Sequence, residues 1–592
     1  MKNVFSKLNL FRWLILVVIL IFIVLINVIG HYTSFRYDMT QDQRYSLSSG
    51  TKKFLQQVKG FDNRINLKIY LDGELPSELR SFKNALEEKL KDFKNIVGDR
   101  IEYSFIDPNI GSDQDKELLF EELYKKGKGI LPMEFKYSKN SKETKMMLWP
   151  GAVLSYAQNG MPVETHVQLL PGTSPERPFN IEQIPGVVEK GLNNIEYNLV
   201  DAFRRLTTIE KKKIAFLQGH GELNDFETRI AKALVSPYYS IKNVTIDGYI
   251  NALDDFEALI IADPKAPFSE ADLFTIDQFV MKGGDLMCFM NTLDINNDTL
   301  YAQGYTHSTR KNLRLEHMLF DYGFKINDNL IMDVNSIPKY DPRFDESRLN
   351  WYYQVLSTNT THSIVKNIEP VGMEYVNQIE FTNDNVKPIL TSSTNSNRSG
   401  LAPIVELNMS FNFDNQDPKL ISNPNDKKNQ LCMAAIAEGK FKSYSFNRVA
   451  IKDNENPNAK KLKNSSKSAK IVVVGNGKFM SNSYRMIQSK QGPRPDYKPF
   501  NELKMNPDDV SLNVNRVIGN QDFFLNIVDY VMDNSFMLEI RSKQIDVREL
   551  DKTKVTKYAN YYKLINLVLP IGIILILGVI IALIRRIKFT KD

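Results

Sequence analysis

The chain has 592 residues, 25% of them charged and 42% hydrophobic, and a formal net charge of +6. That charge sits at the two ends: Lys2, Lys7 and Arg12 supply half of it, and Arg585, Arg586, Lys588 and Lys591 against Asp592 supply the rest. The neutral remainder excludes a broad basic surface for nucleic acid, and two cysteines in so long a chain, Cys288 and Cys432, exclude a disulfide framework.

Trp13 to Ile29 is an apolar run preceded by positive charge. It is longer than the roughly 7–15 apolar residues of a secretion signal, and Asn27-Val28-Ile29-Gly30-His31 has no small-residue cleavage site, so an uncleaved membrane anchor is expected over a signal peptide. Residues 1–36 form this N-terminal segment.

Residues 37–206 read as a first α/β domain. Ser48 or Ser49 and Gly60 bound a short helix, and Ile65, Leu67, Ile69 and Leu71 alternate as a half-buried strand. Leu79, Phe82, Leu86, Leu90, Phe93 and Val97 mark one face of a helix over 77–97. Ile101, Tyr103 and Phe105 then alternate, giving a parallel βαβ unit. A helix over 114–126 and strands over 131–137 and 149–157 follow, and Asn159-Gly160 pairs 152–156 with 163–169 as a hairpin. A helix over 184–206 closes the domain. The order β-α-β-α-β-β-α is thioredoxin-like, with Pro132 at a plausible cis-proline place. The chain has no Cys-x-x-Cys, so thioredoxin redox chemistry is excluded.

Residues 207–545 read as a second, doubly wound domain. Strands are expected over 212–217, 241–246, 259–262, 286–290 and 469–475, and helices from the end of the Gln218–Glu222 turn to Ser236, from Ser269 to Gly283, over 313–322 and over 522–533. Thr391–Gly400 and Lys452–Ser468, rich in Ser, Asn and Lys, read as loops or disordered insertions with too few apolar residues to pack. Both cysteines lie in strand-like apolar runs, where buried thiols are expected over a Cys288–Cys432 bridge.

Residues 546–592 carry the longest apolar stretch, Leu564 to Ile584, about 31 Å long as a helix at roughly 1.5 Å per residue. Arg585 and Arg586 follow at once. By the positive-inside rule both termini are cytoplasmic and the bulk of the chain lies across the membrane.

One constellation is a candidate for chemistry. Gly219-His220-Gly221-Glu222 stands at the carboxyl end of a strand, where open α/β sheets bind ligands, and is expected to open a helix able to hold an anion. The alternative is a tight turn that needs glycine backbone freedom. Asp263, before Pro264 at another strand end, is a second candidate, beside a plain turn-forming role. No Walker motif, G-x-S-x-G or H-E-x-x-H occurs, so no catalytic set, cofactor or metal is expected.

In this order, RYDMTQDQRYSLSSGTKKFL, FIDPN, FLQGHGE, IIADPKAPFSEADLFTIDQFVMKGGDLMCFMN, FFLNIVDYVMDN and IRSKQIDVRELDKTKV resemble the gliding-motility-associated ABC transporter family GldG, over nearly the whole chain. The resemblance implies a second domain of the GIFT type, distantly like class I glutamine amidotransferases but without a nucleophilic cysteine at a strand–helix elbow. It implies a periplasmic body anchored in the inner membrane of Bacteroidetes-type bacteria, and a separate permease and ATPase as partners, with envelope or gliding machinery outside. Gly572 and Gly578 in the last apolar run are candidate permease-docking residues. A periplasmic hydrolase or amidotransferase-like enzyme using His220 and Glu222 is the competing reading, and a solute receptor a third.

Overall fold

The computed structural model describes residues 46–60, 64–125, 129–139, 142–158, 161–171, 184–208, 210–340, 348–357, 362–407, 430–446, 464–465, 467–489, 492–497, 518–532, 535–541 and 557–589, with a few positions between 15 and 25. Of the anchor expected over Trp13–Ile29, residues 15, 17–22, 24 and 25 are described, and these are helical and exposed; most of Lys452–Ser468 lies outside the described residues. The chain divides into two compact units, residues 1–544 and 545–592.

The first unit opens with α1 (Ser49–Val58), whose N-cap Ser48 accepts from the Thr51 N–H. β1 (Ile65–Ile69), α2 (Ser77–Val97) and β2 (Ile101–Phe105) follow, and β1 and β2 pair in parallel. α2 buries the 3- and 4-spaced stripe Leu79, Phe82, Leu86, Leu90, Phe93 and Val97; burying each such side chain contributes about 1.5–3 kcal/mol. α3 (Asp113–Phe120) begins with a capping box between Ser112 and Asp115, then passes into a π turn at Glu121–Lys125, shorter as an α-helix than the expected 114–126.

The region expected to hold one strand after α3 holds a hairpin, β3 (Met133–Lys139) with β4 (Lys142–Leu148). β5 (Gly151–Gln158) and β6 (Met161–Gln168) form the second hairpin, and Gln158 faces Met161 across Asn159-Gly160. The sheet order is β2-β1-β5-β6, with β5 antiparallel to β1. No cis peptide occurs among the described residues, so the bond before Pro132 is trans and the cis-proline expectation is corrected. α4 (Ile184–Thr207) covers this sheet with α2.

The second sheet has seven strands. β7 (Lys213–Leu217), β8 (Ser240–Val244), β9 (Ala258–Ala262), β10 (Asp285–Phe289) and β13 (Ala469–Val474) run parallel, while β11 (Val386–Thr391) and β12 (Cys432–Gly439) add an antiparallel edge. The order is β11-β12-β13-β10-β9-β7-β8. β7, β9, β10 and β13 are continuous apolar runs because both faces are covered. α5 (Arg229–Val235) and α8 (Asn520–Val531) pack on one face, α6 (Glu270–Met281) and α7 (Leu315–Asp321) on the other. Cys288 and Cys432 are buried free thiols in the second of these cores.

Thr391–Gly400 is mostly loop, as expected, but it carries the short strand Ser396–Arg398 and packs, against the expectation that its polar residues would not. The Asp333 carboxylate accepts from the Ser393 N–H at 2.7 Å and the Ser393 hydroxyl at 2.6 Å, and Ser396–Arg398 pairs with Ile331–Asp333. A buried carboxylate helps to organise a segment whose Ser392 and Ser396 are buried through hydrogen bonds and not through apolar contact.

The two sheet regions are joined by polar and apolar contacts. Arg204 of α4 grips Asp529 of α8 with two N–H groups, at 2.8 and 3.1 Å, and Tyr239 donates to the same carboxylate at 2.8 Å. α9 (Ser535–Arg541), at the carboxyl end of this unit, returns to the first core: Met537 and Ile540 are buried in it. α9 lies against α1, with Phe536 stacked on Phe54 (5.8 Å) and the Ser49 hydroxyl donating to Glu539 at 2.8 Å. A Cβ at Gly50 would stand 2.5 Å from the Phe536 carbonyl oxygen, so the approach requires glycine.

The second unit contains α10 (Ala559–Phe589). Its stretch Ala559–Ile587 is long and apolar enough to cross a membrane, with mean hydropathy 3.2 and no part of it buried.

Candidate functional site

The seven-stranded sheet changes direction between β7 and β9. The chain leaves β7 for the edge strand β8, then returns to β9 on the other side. In open α/β sheets the crevice at the carboxyl ends of such strands is where ligands bind. Both candidate turns end there: Gly219–Glu222 follows β7, and Asp263 follows β9.

The helix expected directly after the Gln218–Glu222 turn starts late. Residues 219–228 form turns and α5 starts only at Arg229, so the notion of an anion on a helix start at His220 is corrected. The cause is local. The Glu222 carboxylate turns back to accept from the His220 N–H at 2.7 Å, and Asn224 Oδ1 accepts from the N–H groups of Phe226 and Glu227, drawing the chain into successive turns.

His220 is clamped on every side. Nδ1 lies 3.2 Å from Glu222 Oε1, Nε2 lies 3.3 Å from Asp272 Oδ2, and the ring stacks on Phe268 with centroids 3.9 Å apart. Its carbonyl accepts from the N–H groups of Lys265 and Ala266 in the turn after β9. Burial opposes charging of the ring, but the hydrogen bonds to Asp272 and Glu222 outweigh it and raise the pKa to about 9. The imidazolium thus donates from both nitrogens at neutral pH and has neither a lone pair to act as base nor an open position for a metal. Gly219 and Gly221 take φ of 122° and 76°, and a Cβ at Gly221 would stand 3.1 Å from Lys265 Cβ. The constellation is a structural knot between three segments. Asp272, which also caps α6 through Ser269 and accepts from the Gly248 N–H at 2.9 Å, is the member that spacing in sequence did not join to His220.

Asp263 is different. It is 1% exposed and held at φ 50°, uncommon outside glycine. Oδ1 accepts from Lys311 at 2.8 Å, while Oδ2 has no hydrogen-bond partner within the protein. The residue lines a cavity of about 120 Å³ at the carboxyl ends of β9, β10 and β13. Asn291, after β10, is fully used: it donates to the Tyr375, Asn377 and Gly475 segments and accepts from the Gly477 N–H. Asn476, after β13, donates to the Glu374 carbonyl, yet its own Oδ1 is buried without a protein partner. Tyr375, on the opposite wall, is a second non-glycine residue at positive φ (55°). Applying the strand-end rule to β10 and β13 as well as β7 and β9 points to Asn291 and Asn476; nothing local marks Lys311 or Tyr375.

Gly572 and Gly578 lie within α10, where a Cβ on either would meet nothing within 4 Å. Among the described residues no group of three or more His, Cys, Asp or Glu side chains is arranged to hold a metal ion.

Residues 211–526 match the family model described as an ABC-type uncharacterized transport system, and residues 41–155 match one described as a domain of unknown function (DUF7088). No curated protein matches the sequence. Among solved structures, one titled "mmIFT52 N-terminal domain" is similar over 54% of this chain and 97% of its own, at 11% identity and a TM-score of 0.31.

Proposed function

Because this chain belongs to the ABC-type uncharacterized transport system family, we propose that it is a non-catalytic, membrane-anchored subunit of an ABC transport assembly of the gliding-motility GldG type. In this reading the first α/β body is a thioredoxin-like scaffold, the second is GIFT-like, and both lie in the periplasm of a Bacteroidetes-type bacterium. A span near the start of the chain and α10 hold them to the inner membrane, with both termini in the cytoplasm. A separate permease and ATPase complete the assembly, and Gly572 and Gly578 are proposed to face the permease.

The observation that carries this reading is the meeting of α1 and α9. A body inserted between two spans must return its chain to the side from which it entered, and here the first and last helices of the body among the described residues are packed together through Phe54, Phe536 and Gly50. The order β2-β1-β5-β6, with β1 and β2 parallel, supports the thioredoxin-like assignment.

The enzyme reading would require His220 to exchange a proton with substrate, and both its nitrogens are engaged by carboxylates. Mild-detergent purification of the tagged chain from its native membranes tests the proposal. A permease and an ATPase should be recovered with it in fixed ratio; recovery of the chain alone would contradict it. Gly578→Leu should weaken that recovery without releasing the chain from the membrane, and unchanged recovery would remove Gly578 from the interface.

A further inference from the structure

The cavity beside Asp263 has a definite chemical bias. Two oxygens on its wall, Asp263 Oδ2 and Asn476 Oδ1, are buried and find no donor in the protein. Native structures leave few such atoms unmatched, because a buried acceptor without a donor has lost its water with nothing in return. The lining carries three carboxylates, Asp263, Asp294 and Glu374, against two ammonium groups, Lys311 and Lys478, so its balance is negative. Two non-glycine residues on the wall, Asp263 and Tyr375, are held at positive φ, a strain that concentrates at ligand clamps. Lys311 is already committed to Asp263 Oδ1, whereas Lys478 is an exposed side chain at the mouth.

We propose that this cavity binds a small zwitterionic amine of amino-acid size, its ammonium on Asp263 Oδ2 and Asn476 Oδ1 and its carboxylate at Lys478. An ammonium group supplies N–H donors to both unmatched oxygens and offsets the negative lining. An anion would face those same oxygens and is disfavoured. A neutral polyol satisfies the oxygens but leaves the charge. The volume of about 120 Å³ admits a free small amino acid and excludes a folded partner. The proposal deepens the transport reading, since this molecule is what the assembly would sense or carry, but binding is measured on the isolated chain and is separable from assembly.

The test is calorimetric titration and thermal unfolding of the full chain in mild detergent with glycine, L-alanine and L-serine, beside acetate and glycerol. At least one of the three amino acids should give saturable heat and raise Tm, while acetate and glycerol do neither. Absence of binding by all three at millimolar concentration, or equal binding of acetate or glycerol, would overturn the proposal. Asp263→Asn keeps the shape, and asparagine tolerates the left-handed backbone; it should weaken the amino acid at least about tenfold, as loss of a charge-assisted hydrogen bond does. Lys478→Gln, on an exposed side chain that the fold does not need, should weaken it several-fold. Wild-type affinity in Lys478→Gln would exclude the assigned orientation, and wild-type affinity in both variants would exclude the site. Absence of binding by the unaltered chain, with the permease and ATPase still recovered, would overturn this ligand assignment and leave the transport reading standing.

Discussion

Two turns at the carboxyl end of one sheet invite opposite readings in sequence and in space. Gly219–Glu222 has a histidine between glycines and looks like chemistry; Asp263-Pro264 looks like ordinary punctuation. In the folded chain His220 has both ring nitrogens, its N–H and its carbonyl matched, whereas Asp263 keeps one buried oxygen without a protein partner. A saturated polar knot rigidifies, and an unsaturated buried acceptor asks for a ligand. Residue type alone does not separate the two roles, because the difference lies in how many partners each atom finds.

Breaking the saturated turn should have the largest effect. His220→Ala leaves the Glu222 and Asp272 carboxylates buried without their cation, and losing one partner of such a pair costs about 3–5 kcal/mol. Chemical denaturation of the full chain should register it; a loss below about 1 kcal/mol, the range of exposed pairs, would mean that the knot is solvated. At Gly50, a Cβ would collide with the Phe536 backbone, so Gly50→Ala should destabilise the α1–α9 contact by about 1–3 kcal/mol, as overpacking does. Faster proteolysis near Arg541 should accompany it, and unchanged cleavage would show that the two helices separate freely.

The pH profile sharpens the comparison. The folded pKa of His220, about 9, lies above its ordinary 6.5, so its contribution is complete below about 6.5 and disappears as pH rises through about 9. Asp272 is opposite in sign. Burial raises its pKa, but hydrogen bonds from His220 and Ser269 outweigh that and hold it below 3.8, so its contribution is present above that value and fades as pH falls. Thermal unfolding across pH 6 to 10 should show a falling limb in the wild type that His220→Gln flattens; parallel profiles would contradict the clamp. The smallest effect concerns the cysteines. Burial pushes both thiols up, Cys432 to about 12 and Cys288 further, so neither should react with a maleimide until the chain is unfolded. Rapid labelling of either in the native chain would show that the core around β10 and β12 opens readily.

Where a pattern depends on periodic burial, the sequence was a good guide. The stripe from Leu79 to Val97 gives α2 its bounds, and Asn159-Gly160 gives the β5–β6 register. The apolar runs at 259–262, 286–290 and 469–475 give the parallel strands to within a residue at either end. Two of the misreadings share a different cause: a carboxylate that captures a backbone N–H outside any helix or strand ladder. Glu222 reaches back to His220 and delays α5 to Arg229, and Asp333 orders the Ser-rich stretch after β11 from 60 residues away. In the cavity, the strand-end rule reaches Asp263, Asn291 and Asn476, whereas Lys311 and Tyr375 come from separate segments that carry no local signal.

The central claim is a body inserted between two membrane spans with its ends joined at α1 and α9. Reporter fusions in living cells test it most directly. Green fluorescent protein at either terminus should fluoresce, and alkaline phosphatase inserted after Gly60 or after Arg541 should be active, placing both termini inside and the body outside. A fluorescent C-terminus combined with an inactive phosphatase after Gly60 would put the start of the body in the cytoplasm and contradict the account.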